Sequence, residues 1–227
     1  MTRISVVCLD MAGTTVRDSG TVMAAFTAAL TAQPVADLDA AMTYVRDTMG
    51  QSKIEVFRHL LATEDQAQQA NTAFEASYEA AVRAGDIEPM PGADSLFAAC
   101  RDAGIRTCLS TGFSPATRDS IIDVLGWRDA VDLVLSPADA GRGRPWPDMP
   151  LAALTRLGGG SVHELAVAGD TVSDVESGLR AGAGITAGVL SGESTREELS
   201  GVPGRTGLPG TPLILDSVAD LLHHLTR

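Results

Sequence analysis

Asp10 closes an apolar run (Ile4, Val6, Val7, Leu9) and is followed by Ala12, Gly13, Thr14 and Thr15. Apolar residues ending in an acid read as a buried strand that delivers a carboxylate to its C-terminal end, where open α/β sheets bind ligands. Far along the chain, GDTVSD puts Asp170 directly after the run LAVAG and Asp174 four residues later. Two acids at that spacing, starting at a strand end, suit a Mg²⁺ site built from hard oxygen ligands, with Asp174 a ligand or a support for one. Asp170 also fits a helix N-cap, and the two roles are compatible. Ser110 and Thr111 stand before Gly112. A hydroxyl in such a turn, with the backbone N–H groups that follow, can hold a phosphoryl oxygen. Arg142 and Arg144 precede Pro145 and supply cations that could neutralise an anionic group. Lys53 sits in MGQSKIEVFR. A lysine on a helix is ordinarily a solvated surface residue, but Gly50 lets the chain turn tightly just before this one and aim it.

These residues need a scaffold, and the hydrophobic pattern supplies one. After a strand at about 4–9, the text from 21 to 83 carries apolar residues at three- and four-residue spacings with almost no strand signal. Pro89, Pro91 and Gly92 break that pattern. From there helices and strands alternate, with strands expected near 105–110, 132–135, 165–169, 185–189 and 212–216. Alternation of this kind predicts an α/β fold with a Rossmann-like parallel sheet. The all-helical stretch reads as an insertion, a helical cap over 17–87, with 1–16 plus 88–227 as the core and a hinge where the two connections meet. Residues 191–210 read as a Gly- and Ser-rich loop with one short helical turn.

Composition narrows the partners. The 227 residues are 44% apolar, ample for a packed core, and the net charge is −12. That charge argues against nucleic acid and anionic membranes, though local cations can still hold a small phosphate. No apolar run approaches a membrane span, and the N-terminus lacks a signal pattern. Cys8, Cys100 and Cys108 lie in apolar stretches and read as buried, reduced thiols. A cytoplasmic location is the expectation.

The text DMAGT resembles the first motif of the haloacid dehalogenase superfamily, DxDGT, and the other signals follow in that superfamily's order. The resemblance implies that Asp10 is a nucleophile toward phosphorus and that Thr111, directly before the turn, is the phosphoryl-binding hydroxyl. It implies that Arg144, directly before a Pro-containing helix start, is the neutralising cation. It further implies Mg²⁺ bound by Asp10, the Ala12 carbonyl and Asp170. The second Asp of the motif, which protonates a leaving group, is replaced by Ala12.

MGQSKIEVFR resembles the cap loop MGxxKxxHxR of the phosphonatase branch, which also has DxAGT and GDTVSD. The resemblance implies that Lys53 forms an imine with a phosphonoacetaldehyde-like substrate and that Gly50 and Gly112 help to bind it. The imine then takes up the electrons of the broken carbon–phosphorus bond, so no acid is needed at Ala12. Dimerisation through the cap is a further implication. The chain departs from the branch at Val56, where the family has a histidine, and at Met11, where it has an aromatic residue. The leading expectation is a Mg²⁺-dependent phosphonatase-like hydrolase acting on a small phosphonate. The second is a small-molecule phosphatase, phosphoglycolate phosphatase-like, in which Lys53 clamps the substrate. A third, a phosphate sensor without turnover, is disfavoured by the intact Asp10, Thr111, Arg144 and Asp170.

Overall fold

The computed structural model describes residues 3–225. In chain order its elements are β1 (Val6–Asp10), β2 (Val16–Arg17), α1 (Thr21–Thr31), α2 (Leu38–Asp47), α3 (Lys53–Leu60), α4 (Glu64–Ala84), β3 (Glu88–Pro89), α5 (Ala93–Asp102), β4 (Arg106–Ser110), α6 (Pro115–Leu125) and β5 (Leu133–Leu135). Then follow α7 (Pro137–Ala140), α8 (Asp148–Arg156), β6 (Leu165–Gly169), α9 (Val172–Ala181), β7 (Ile185–Val189), α10 (Arg196–Ser200), α11 (Val202–Thr206), β8 (Leu213–Leu215) and α12 (Leu222–Leu225).

Six strands form one parallel sheet in the order β5-β4-β1-β6-β7-β8. This is the α/β sheet that the alternating pattern predicts. Every residue of β1 and β6 is buried, because helices cover both faces of a parallel sheet. Register then aligns the strand ends. Asp10 pairs with Ser110, and Leu9 pairs with Ala168 one residue before Gly169. Asp10, Thr111 and Asp170 therefore emerge from three adjacent strands at one edge.

Helices α1–α4 fall between β2 and β3, two-residue strands that pair antiparallel (Val16 with Pro89, Arg17 with Glu88). The chain leaves and re-enters the main body through this ribbon, where the sequence places a hinge. Helix α4 begins at a Thr63–Gln66 capping box and ends at Gly85 with φ 83°. Its buried residues Ala67, Ala70, Phe74, Tyr78 and Val82 make one apolar stripe. Phe74 meets Phe26 of α1 at 4.7 Å between ring centroids, and Tyr78 meets Phe113, which follows β4, at 4.5 Å. The aromatic cluster thus joins α1 and α4 to the edge of the sheet.

Two local expectations need correction. The 191–210 segment holds two short helices, α10 and α11, in place of one turn. Thr195 and Glu198 form a capping box at the first, and Pro203 stands in the first turn of the second, so each start has its own signal. The sequence pattern also missed α7, a single turn capped by Ser136 and Asp139. Among the described residues no helix is long and apolar enough to cross a membrane.

Candidate active site

The strand edge, the loop before α3 and the turn at Ser191–Glu193 enclose a cavity of about 120 Å³. Asp10, Ala12, Gly50, Lys53, Thr111, Gly112, Arg144 and Asp170 all line it. Asp174 stands behind, buried at the start of α9.

Arg144 is the hub. It is 5% exposed, and its Nη1 lies 2.6 Å from Asp10 Oδ1 while its Nε lies 2.7 Å from Asp174 Oδ1. Its Nη2 donates to the Ser110 carbonyl at 2.8 Å and to Ser110 Oγ at 2.7 Å. The paired candidates are placed differently. Ser110 is occupied by Arg144, whereas Thr111 faces the cavity. Arg142 is exposed, pairs with Asp148 at 2.8 Å and stacks over Trp146.

The three acids Asp10, Asp170 and Asp174 each offer a carboxylate oxygen within 4.8 Å of the others. One guanidinium serves Asp10 and Asp174, and Asp170 has no cationic partner among the described residues. Among the described residues the Asp170 carboxylate accepts only from Thr14 Oγ1 at 2.9 Å and from the Glu193 N–H at 3.0 Å. Burial, and then the charges of Asp10 and Asp174, push its carboxyl well above the ordinary range. Burial likewise raises Asp10 to about 7, against the pull of Arg144. The Ala12 carbonyl accepts no hydrogen bond among the described residues. Hard oxygens with an excess of buried negative charge fit a divalent cation such as Mg²⁺. Asp174 is differently placed. Its Oδ1 takes Arg144, and its Oδ2 takes the Thr171 hydroxyl at 2.5 Å and the Thr171 N–H at 3.1 Å.

Lys53 opens α3 and is 8% exposed. Its Nζ lies 5.7 Å from the centroid of Phe26 and 5.2 Å from that of Phe113. Burial among these rings lowers its pKa to about 8, although Asp10 works in the opposite sense. Its place at a helix N-terminus also disfavours positive charge.

The loop that carries Lys53 sits directly on the strand edge. The Lys53 N–H donates to the Gly112 carbonyl at 3.3 Å, and Arg144 Nη1 donates to the Gly50 carbonyl at 3.3 Å. A Cβ at Gly112 would come within 2.3 Å of the Gln51 carbonyl oxygen. Gly50 has φ 85°, and a Cβ there would lie 2.4 Å from Thr171 Oγ1. Both glycines are required for this contact.

Thr14, Thr171, Ser191 and Glu193 were missed by sequence reasoning. Thr14 and Glu193 hydrogen-bond Asp170, Thr171 holds Asp174, and Ser191 Oγ donates to the Gly13 carbonyl at 2.8 Å. Thr171 carried a usable signal, the capping box with Asp174. Val56 is buried, and His59 stacks on Tyr44 at 4.1 Å, outside the cavity lining.

The sequence model of the haloacid dehalogenase-like hydrolases matches residues 4–182. The chain belongs to that family. This hydrolase is 30% identical over 109 residues to phosphonoacetaldehyde hydrolase of Bacillus cereus, a stretch covering 47% of this chain and 40% of that enzyme. The match thus spans less than half of the relative's length. Two solved structures share the fold. A phosphonoacetaldehyde hydrolase like protein from Oleispira antarctica has a TM-score of 0.81 at 24% identity, covering 99% of this chain and 92% of that one. A predicted phosphoglycolate phosphatase from Haemophilus somnus has a TM-score of 0.77 at 17% identity, covering 99% of each.

Proposed function

We propose that this hydrolase removes the phosphoryl group from a small phosphonate carrying an aldehyde, for which phosphonoacetaldehyde is the reference compound. The observation that carries this reading is Lys53, a buried amine with a pKa near 8 in the same cavity as Asp10. A surface clamp has no need of such an environment, whereas an amine that must attack a carbonyl does.

The neutral Lys53 amine adds to the aldehyde carbon, and loss of water gives an iminium. An Asp10 carboxylate oxygen then attacks phosphorus. The carbon–phosphorus bond breaks, its electron pair passes into the iminium, and an enamine results. Protonation of the enamine carbon and hydrolysis of the resulting iminium release the aldehyde and free Lys53, and water hydrolyses the aspartyl phosphate. Ala12 is tolerable because no leaving oxygen needs a proton. Thr111 and the following N–H groups hold phosphoryl oxygens, and Arg144 offsets their charge while fixing Asp10. A Mg²⁺ held by Asp10, the Ala12 carbonyl and Asp170 would neutralise further charge on the phosphoryl group. In this reading Asp174 acts through Arg144. Residues 17–87 act as a cap over a core of 1–16 and 88–227.

The second reading is a phosphomonoesterase with Lys53 as a clamp. It is favoured by Val56 and by the position of His59 outside the cavity. Borohydride separates the two. With phosphonoacetaldehyde and Mg²⁺, the first reading expects phosphate release together with a reduced, irreversible adduct on Lys53. Phosphate release without an adduct replaces it with the second.

A further inference from the structure

Imine formation needs proton transfers that Lys53 cannot perform for itself. The ammonium must lose a proton before it attacks, and the carbinolamine hydroxyl must gain one before it leaves as water. Position 56 supplies only an apolar valine, and His59 is turned toward Tyr44. The titratable side chains that line the cavity are Asp10, Asp18, Lys53, Arg144, Asp170 and Glu193. Asp10 attacks phosphorus and Asp170 belongs to the metal set. Arg144 does not exchange its proton. Glu193 is exposed and is tied by its backbone to Asp170. Asp18 is left.

We infer that Asp18 is the acid–base group of imine formation at Lys53. The inference rests on the imine reading above. Asp18 precedes α1, and its Oδ1 accepts from the Thr21 N–H at 2.7 Å and the Val22 N–H at 3.4 Å. These bonds fix the carboxylate. Its Oδ2 takes no hydrogen bond or ion pair among the described residues, and the residue lines the cavity that holds Lys53. The charge of Asp18 reaches the lysine, opposing the effect of burial on the amine.

The proton balance closes. The Asp18 carboxylate takes a proton from the Lys53 ammonium, and the free amine adds to the aldehyde carbon. A proton passes from nitrogen to oxygen to give the carbinolamine. Asp18 then returns its proton to the carbinolamine hydroxyl. The carbon–oxygen bond breaks, water leaves, and the nitrogen lone pair forms the iminium. Asp18 ends as it began, a carboxylate.

The test compares the full chain with Asp18→Asn and Asp18→Ser. Asn and Ser both cap helices, so both variants keep the hydrogen bond to α1 and lose the carboxylate. Thermal melts verify that each is folded. The readout is the rate at which borohydride traps an adduct with phosphonoacetaldehyde, with Lys53→Arg as the blank. The expected result is trapping slowed by about 10²-fold or more in both variants. Trapping at the wild-type rate in either variant overturns the assignment and leaves Asp18 a helix cap, while the imine reading stands. No adduct in the wild type overturns both.

Discussion

Replacing Lys53 with Met should stabilise this protein while removing its proposed chemistry. Met has nearly the length and flexibility of Lys without the charge, so the ring-lined slot stays filled. A lysine held at about 8 instead of 10.5 penalises the folded state at neutral pH. At ~1.4 kcal/mol per pH unit the penalty is about 3 kcal/mol. The sign follows from proton binding. Between pH 8 and 10.5 the unfolded chain holds a proton on Lys53 that the folded chain has released, so wild-type stability rises with pH across that window. The penalty is complete below pH 8 and gone above pH 10.5. Lys53→Met should therefore melt higher at pH 7 by about 6–12 °C, from about 2–4 °C per kcal/mol for a chain of this size. The gain should shrink toward zero by pH 10.5. Calorimetry at both pH values, in chelator, measures the difference between variants, and titrations common to both cancel. A neutral or destabilising substitution at pH 7, or a gain unchanged at pH 10.5, would refute the claim that Lys53 carries a desolvation penalty.

Four further outcomes follow from the same geometry. The rate of adduct formation on wild-type Lys53 should rise about tenfold per pH unit up to about 8 and then level, because only the free amine attacks; a flat profile from pH 6 to 9 in borohydride trapping contradicts this. Asp170→Asn should abolish Mg²⁺-dependent phosphate release yet raise the melting temperature in chelator, since it removes one of three crowded buried acids; activity that survives chelation removes the metal assignment. Arg144→Lys should lower kcat by at least about 10²-fold, as one ammonium cannot replace the fork that joins Asp10, Asp174 and Ser110; a change confined to KM would make Arg144 a binding group only. Gly112→Ala should reduce turnover severely and lower the melting temperature, because its methyl would come within 2.3 Å of the Gln51 carbonyl oxygen; steady-state kinetics near wild type would show that this contact is dispensable.

Features set by local pattern were legible in the sequence. The parallel sheet followed from apolar runs alternating with helical text, and Asp10 and Asp170 were visible because each ends such a run. Asp174 was legible as an acid but not as the second anchor of Arg144, since that contact joins the loop before α8 to the start of α9. Thr111 was preferred to Ser110 by its place directly before Gly112, but the partner of Ser110 could not be read from spacing. What separates them is that one side chain is consumed by a residue 34 positions away. Glu193 gave no signal at all, because its contribution is a backbone N–H and any residue type but proline would offer it. The burial of Lys53 was equally hidden. It depends on Phe26 and Phe113, which lie on opposite sides of it in sequence and meet only in the fold. Helices α10 and α11 were lost because the Gly- and Ser-rich composition outweighed their short capping signals.

The ribbon of β2 and β3 has a consequence for selectivity. Among the described residues β2 and β3 pair only with each other, over two residues on each side, so the aromatic cluster and the Gly50–Lys53 contacts hold α1–α4 against the six-stranded sheet. Any swing about that ribbon draws the amine away from Phe113 and into water, where an ordinary lysine holds its proton near 10.4. An opened molecule therefore carries an inert ammonium. In the imine reading, bulk aldehydes that diffuse past an opened molecule would meet no free amine, and the nucleophile would exist only while the cavity is sealed around whatever it has admitted. On that reading reactivity would be rationed by closure, and a group that is otherwise a hazard among carbonyl compounds would be exposed to one guest at a time.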